Sequence, residues 1–66
     1  MKITLDRRNG GYFWSISEGK YFICRGWKAD GKMPILEYVN FYCPVDKLSE
    51  ALKTILEWAN KEEQDL

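Results

Sequence analysis

Residues 12–42, YFWSISEGKYFICRGWKADGKMPILEYVNFY, decide the fold, because three strand-like runs meet there at the turn dipeptides Glu18-Gly19 and Asp30-Gly31. Read as a two-residue hairpin loop, Glu18-Gly19 sets Ser17 opposite Lys20, Ile16 opposite Tyr21, Ser15 opposite Phe22, Trp14 opposite Ile23 and Phe13 opposite Cys24. Side chains alternate across a strand, so Trp14, Ile16, Tyr21 and Ile23 share one side. Phe13, Phe22 and Cys24 share the other with Ser15, Ser17 and Lys20. Asp30-Gly31, read the same way, pairs Ala29 with Lys32, Arg25 with Leu36, Cys24 with Glu37, Ile23 with Tyr38 and Phe22 with Val39. Leu36 and Tyr38 then join the Trp14 side, while Glu37, Val39 and Phe41 join the Phe13 side. Gly26 in mid-strand marks a bulge or a close backbone approach, and a bulge in the third or fourth strand would invert part of this assignment.

Toward the N-terminus, Lys2 to Arg8 alternates as a first strand, with Ile3 and Leu5 on one side and Lys2, Thr4 and Asp6 on the other. Asn9-Gly10 closes it as a type I′ turn, in which both central residues take positive φ. That turn pairs Arg8 with Gly11, Arg7 with Tyr12, Leu5 with Trp14 and Ile3 with Ile16. Both hairpins, read independently, place Trp14 and Ile16 on the apolar side.

Toward the C-terminus, Pro44 suits a first helical turn, and Asp46 and Glu50 suit the positive end of the helix dipole. Val45, Leu48, Leu52, Ile55, Leu56 and Ala59 recur at three- and four-residue steps and form one apolar stripe. The expected fold is α+β, a four-stranded antiparallel β-meander with one C-terminal helix packed on one face. It is a single domain over 1–66, with strands at about 2–8, 11–17, 20–28 and 34–42, a helix at about 44–60 and an acidic tail, 61–66, that frays.

A chain of 66 residues buries about 60% of the surface its unfolded form exposes, and an aromatic content of 15% partly offsets that small core. Residues 1–33 carry seven Lys or Arg against three Asp or Glu, and residues 34–66 carry three against seven. The sheet is therefore basic and the helix acidic, while the whole is neutral with a pI near 6.2. Neutrality disfavours a chain whose main task is non-specific attraction to nucleic acid or anionic membrane. No apolar run is long enough to span a bilayer, and the first residues lack a signal-peptide apolar region, so the expected compartment is the cytoplasm. Cys24 in mid-strand and Cys43 beyond the neighbouring strand are expected as free thiols.

The chain has no histidine, which removes the usual general base and the commonest transition-metal ligand. Two cysteines without CxxC spacing make no structural zinc site, and no phosphate-cradling glycine loop is present. The expectation is a non-enzymatic protein without metal, cofactor, small-molecule substrate or membrane partner. Two surfaces compete as its site. The first is the sheet face a single helix leaves open, with Phe13, Phe22, Cys24, Val39 and Phe41 as a protein interface, to another protein or to a second copy. The second is the end where the Asn9-Gly10 and Asp30-Gly31 turns meet. It gathers Arg7, Arg8, Tyr12, Arg25, Trp27 and Lys28 as an alternative site for single-stranded nucleic acid. The acidic end of the helix returns toward this cluster and would neutralise it.

Phe41-Tyr42-Cys43-Pro44 leading into Leu48-Ser49-Glu50-Ala51-Leu52-Lys53, behind a strand-rich half, resembles small uncharacterised proteins of bacteriophages and prophages of Gram-positive bacteria. That resemblance implies a binder that blocks or regulates a host or defence protein in the host cytoplasm. Ile23-Cys24-Arg25-Gly26-Trp27, then Pro34, then the helix, more weakly resembles the single-stranded-DNA-binding domains of the transcriptional-coactivator type. Arg25 and Trp27 match there, whereas the Lys-Gly those domains carry before the last strand is absent.

Overall fold

A computed structural model describes residues 1–64, with side chains through Lys61. Strands β1 (Lys2–Arg8), β2 (Gly11–Glu18), β3 (Tyr21–Ala29) and β4 (Ile35–Val39) are followed by helix α1 (Val45–Gln64). The strands form one antiparallel sheet in the order β1-β2-β3-β4. This is the expected meander with one helix. The fourth strand is shorter than expected, and the helix runs on past residue 60 to Gln64. Of the acidic tail expected to fray, residues 65–66 lie outside the described residues.

The β1–β2 register is the one the sequence predicts, from Lys2 opposite Ser17 to Arg8 opposite Gly11. Its turn is not type I′, because Gly10 has φ 91° while among the described residues no non-glycine has positive φ. The chain thereby avoids the cost of a left-handed Asn9. In the second hairpin the loop is Gly19-Lys20, with Glu18 opposite Tyr21 and Gly19 at φ 59°. Glycine at the first central position is what a type II′ turn requires. Relative to the Glu18-Gly19 reading this moves the pairing by two residues, which leaves the faces unchanged.

Two irregularities then do change faces. Between Ser17–Phe22 and Ile16–Cys24 the ladder shifts, so Ile23 is extra and both Ile23 and Cys24 turn toward the helix. Between Gly26–Leu36 and Arg25–Tyr38 it shifts again around Glu37. Cys24 and Val39 consequently leave the face assigned to them from the sequence and join the helix side, opposite each other. Tyr38 moves the other way, to the open face. Burial of two adjacent apolar side chains, Ile23 and Cys24, favours the first bulge, since each removes its surface from water on the same side. Leu36 stays on the helix side because the first bulge and the looser Lys32–Pro34 connection cancel.

Trp14, Ile16, Ile23 and Cys24 from the sheet meet Ala51 and Ile55 from α1, with Ile3, Val39, Cys43, Leu48 and Trp58 around them. A fully buried aliphatic side chain contributes about 1.5–3 kcal/mol. The buried helical stripe is rotated relative to its sequence pattern, for Ala51, outside that pattern, is buried whereas Val45 and Leu56, within it, are exposed. Gly26 is a close approach: a Cβ there would sit on the Ile35 carbonyl oxygen and 2.5 Å from Cζ2 of Trp14. Both cysteines are free thiols, and burial followed by the neighbouring Cys43 pushes the Cys24 thiol up. Lys47 reaches Glu18 at 3.0 Å and ties the start of the helix to the end of β2.

Candidate functional site

The face that α1 leaves open carries Thr4, Asp6 and Arg8 from β1, Phe13, Ser15 and Ser17 from β2, Phe22, Arg25 and Trp27 from β3, and Ile35 and Tyr38 from β4. Cross-strand pairing makes its two ring contacts. Phe13 stands opposite Trp27 with ring centroids 4.9 Å apart, and Phe22 meets Tyr38 diagonally at 5.7 Å. Guanidinium groups cover the rings from outside: Arg25 lies 5.1 Å from the Tyr38 centroid and Arg8 5.7 Å from that of Phe13. Arg8 is also held by Asp6 at 2.8 Å. Between the two ring pairs a shallow depression of about 390 Å³ is lined by Thr4, Asp6, Phe13, Ser15, Arg25 and Glu37.

Of the expected interface residues, Phe13 and Phe22 stand on this face, Phe13 with 47% of its surface exposed. Cys24 is buried under the helix and Val39 packs against the core, so neither offers a contact surface. Phe41 is 90% exposed but lies in a turn beyond β4, not on the sheet. The expected basic end does not form one surface, because alternation sends its members to opposite sides. Arg7, Tyr12 and Lys28 are on the helix side. Arg7 makes a two-pronged pair with Asp30 at 2.7 and 3.0 Å and lies over Tyr12, whose ring meets Trp58 edge-on. Lys28 is only 2% exposed, with Nζ 6.0 Å from the Trp58 ring. Arg8, Arg25 and Trp27 belong to the open face, so three of the six residues of the expected basic end join two of the five expected interface residues, Phe13 and Phe22, on one surface.

No family model matches this chain, and no curated protein or solved structure does either. Among the described residues no cluster of His, Cys, Asp or Glu is placed to hold a metal ion, and no helix is long and apolar enough to cross a membrane. What the open face offers chemically is a set of ring surfaces and guanidinium groups held in fixed relative positions.

Sequence reasoning missed Tyr38, which the Glu37 bulge redirects, and Tyr42, which is displayed beside the expected Phe41 in a turn at the opposite end of the sheet. There Asn40 accepts a hydrogen bond from the Tyr42 N–H through its side-chain oxygen at 3.0 Å and donates through Nδ2 to the Phe22 carbonyl at 2.8 Å. The Cys43 N–H closes the turn on the Asn40 carbonyl at 3.0 Å. Asn is a turn former of this kind, and its position just before Phe41-Tyr42-Cys43-Pro44 was the available signal. Phe41 and Tyr42 are left 90% and 97% exposed. Phe41→Ala and Tyr42→Ala are therefore expected to change stability by under about 0.5 kcal/mol. Thermal unfolding checks this, and a large loss at either position would show a packed ring.

The Arg7–Asp30 pair gives a pH signature. The hydrogen bond from Arg7 holds the Asp30 carboxyl below its ordinary range. A depressed carboxyl contributes stability above its unfolded pKa and loses it as pH falls through the folded value. Asp30→Asn should therefore be slightly less stable than the parent at neutral pH, and the difference should shrink as pH falls below the ordinary carboxylate range. Both groups are half exposed, so added salt should shrink the gap. Urea unfolding at several pH values measures it, and a gap that widens on acidification would contradict the assignment.

Proposed function

We propose that this protein acts by binding and not by catalysis, docking its open sheet face on another protein. One observation carries the reading: Phe13, Trp27, Phe22 and Tyr38 gather with Arg25 on the face that the helix leaves uncovered. Interface centres are enriched in aromatic residues and arginine, and a few such anchors carry most of the binding energy. Ring-on-ring contacts already restrict these side chains, so little side-chain entropy remains to be lost on docking. The resemblance of the Phe41–Lys53 segment to small phage proteins supports a partner among host or defence proteins, reached in the host cytoplasm and blocked by occupation of its surface.

A second reading is favoured by Arg8 and Arg25 lying over Phe13 and Tyr38, an arrangement that suits single-stranded nucleic acid stacked on an open sheet. Asp6 and Glu37 in the same depression weigh against it, since they repel phosphate. Both readings meet in one experiment. Immobilised protein is compared with its Tyr38→Ala and Arg25→Glu variants for proteins retained from host extract, and each is titrated with an oligothymidine at low salt. The proposal expects specific retention that each variant weakens by about 2 kcal/mol or more, with thermal midpoints little changed and no saturable oligonucleotide binding. Retention indifferent to both substitutions would remove the open face from consideration. Saturable binding that falls steeply with salt would instead establish the nucleic-acid reading.

A further inference from the structure

The two edges of the sheet differ in kind. Strand β4 is five residues long, follows Pro34 closely and is interrupted at Glu37. Shortness, proline and bulges are devices that keep an edge from pairing with another chain. Strand β1 has none of them. It runs seven residues in unbroken register with β2 and contains neither proline nor glycine. The two-residue turn closes on Arg8 and Gly11 as a hydrogen-bonded pair, so alternation along the ladder turns the N–H and C=O of Ile3, Leu5 and Arg7 outward.

We infer that β1 pairs antiparallel with β1 of a second copy of this chain, about a two-fold axis at Thr4. Outward backbone groups and matching faces restrict the centre of such a pairing to a few positions. Centred on Leu5, Lys2 would face Arg8 and Ile3 would face Arg7, setting like charges together and an apolar side chain against a charge. Centred on Ile3, Lys2 would face Thr4 and no opposite charges would meet. Centred on Thr4, Lys2 faces Asp6 twice, Ile3 faces Leu5 twice and Thr4 faces its own copy. Among the residues of β1 that face each other, only this last register makes both the charged and the apolar pairs complementary, with Met1, before the strand, falling opposite Arg7; cross-strand pairs of both kinds are stabilising. Its Ile3–Leu5 pairs are backbone-bonded pairs, as the outward groups require.

The surface around β1 fits this occupant. Leu5 lies on the helix side yet is 41% exposed, and the buried core beneath α1 is drawn from β2 and β3. A copy of Ile3 beside it would cover part of that side chain. A two-fold axis perpendicular to the sheet keeps both helices on one side and joins the two open faces on the other, in one continuous sheet of eight strands. The inference is independent of the docking proposal, because it uses the strand edge and none of the open-face rings.

The test is sedimentation equilibrium of the whole chain from micromolar to millimolar concentration. The parent should shift from monomer to dimer across that range. Asp6→Lys and Lys2→Asp should each weaken the dimer by about tenfold or more, because two opposite-charge pairs become like-charge pairs. The double variant Lys2→Asp with Asp6→Lys should restore it to within a few-fold of the parent. Both positions are exposed, and circular dichroism confirms that each variant is folded. Tyr38→Ala, on the open face, should dimerise like the parent. A parent that stays monomeric throughout, a dimer indifferent to the single substitutions, or a double variant no better than the singles would each overturn the inference.

Discussion

Gly26→Ala is expected to cost about 3 kcal/mol or more, a large part of the stability of a domain this small. The added methyl would meet the Ile35 carbonyl oxygen on the neighbouring strand as well as the Trp14 indole, and a backbone oxygen inside a ladder has no rotamer by which to move away. Overpacking of a tight site costs about 1–3 kcal/mol and sometimes more, and a clash with paired backbone belongs at the upper end. A domain of this size has a total stability of only about 3–10 kcal/mol. Gly31→Ala is the control, since the space around Gly31 is open and only its φ of 75° opposes a side chain. That substitution should cost about 1–2 kcal/mol. Urea unfolding followed by circular dichroism compares the two. A Gly26→Ala protein as stable as the parent would mean that β3 and β4 are not paired as described.

Trp14→Ala should be nearly as damaging, with a loss of about 3–5 kcal/mol. The indole is 2% exposed and extends from Gly26 toward Leu36, Leu52 and Ile55, so its removal opens a cavity between sheet and helix. Its buried N–H has no hydrogen-bond partner, which makes Trp14→Phe far milder, because the smaller ring removes an unsatisfied donor along with some packing. The two sites interlock without being interchangeable. Combining Gly26→Ala with Trp14→Leu relieves the ring contact but leaves the Ile35 oxygen in place, so the pair should not recover the stability that Gly26→Ala loses. Recovery would show that the ring alone sets the requirement for glycine.

These residues also show how far the sequence could be read. Alternation, the Asn9-Gly10 turn and the spacing of Leu48, Leu52 and Ile55 were enough for the meander, the β1–β2 register and the helix. The burial of Trp14, Ile16 and Ile23 followed from the same pattern. Gly26 was legible as a point of close approach because a strand interior has few other uses for glycine. The bulges at Ile23 and Glu37 were not locatable, since a bulge depends on which side chains the assembled core accepts, and Ile23-Cys24 and Glu37-Tyr38 read equally well as regular strand. Their effect falls on the candidate site. A one-residue slip moved Cys24 and Val39 under the helix and brought Tyr38 out beside Phe22, so Phe13 and Phe22 were found from alternation while their ring partners were not. The separation of Arg7 from Arg8 was already implied by alternation, but gathering residues by proximity to a turn overlooked it.

The placing of Trp27 beside Phe13 on the open face rests on the bulge at Ile23, and the thiol of Cys24 reports on that bulge directly. In an unbulged β3 this side chain would stand on the open face beside Phe22; with the bulge it is fully buried beneath α1. In a Cys43→Ser background, which leaves a single thiol, maleimide modification of Cys24 is measured on the native protein and again in denaturant. The native reaction should be slower by about a hundredfold or more, since the thiol becomes accessible only when the core opens and its ionisation is suppressed by burial. Modification of the native protein at close to the denatured rate would place Cys24 on the open face and contradict the account.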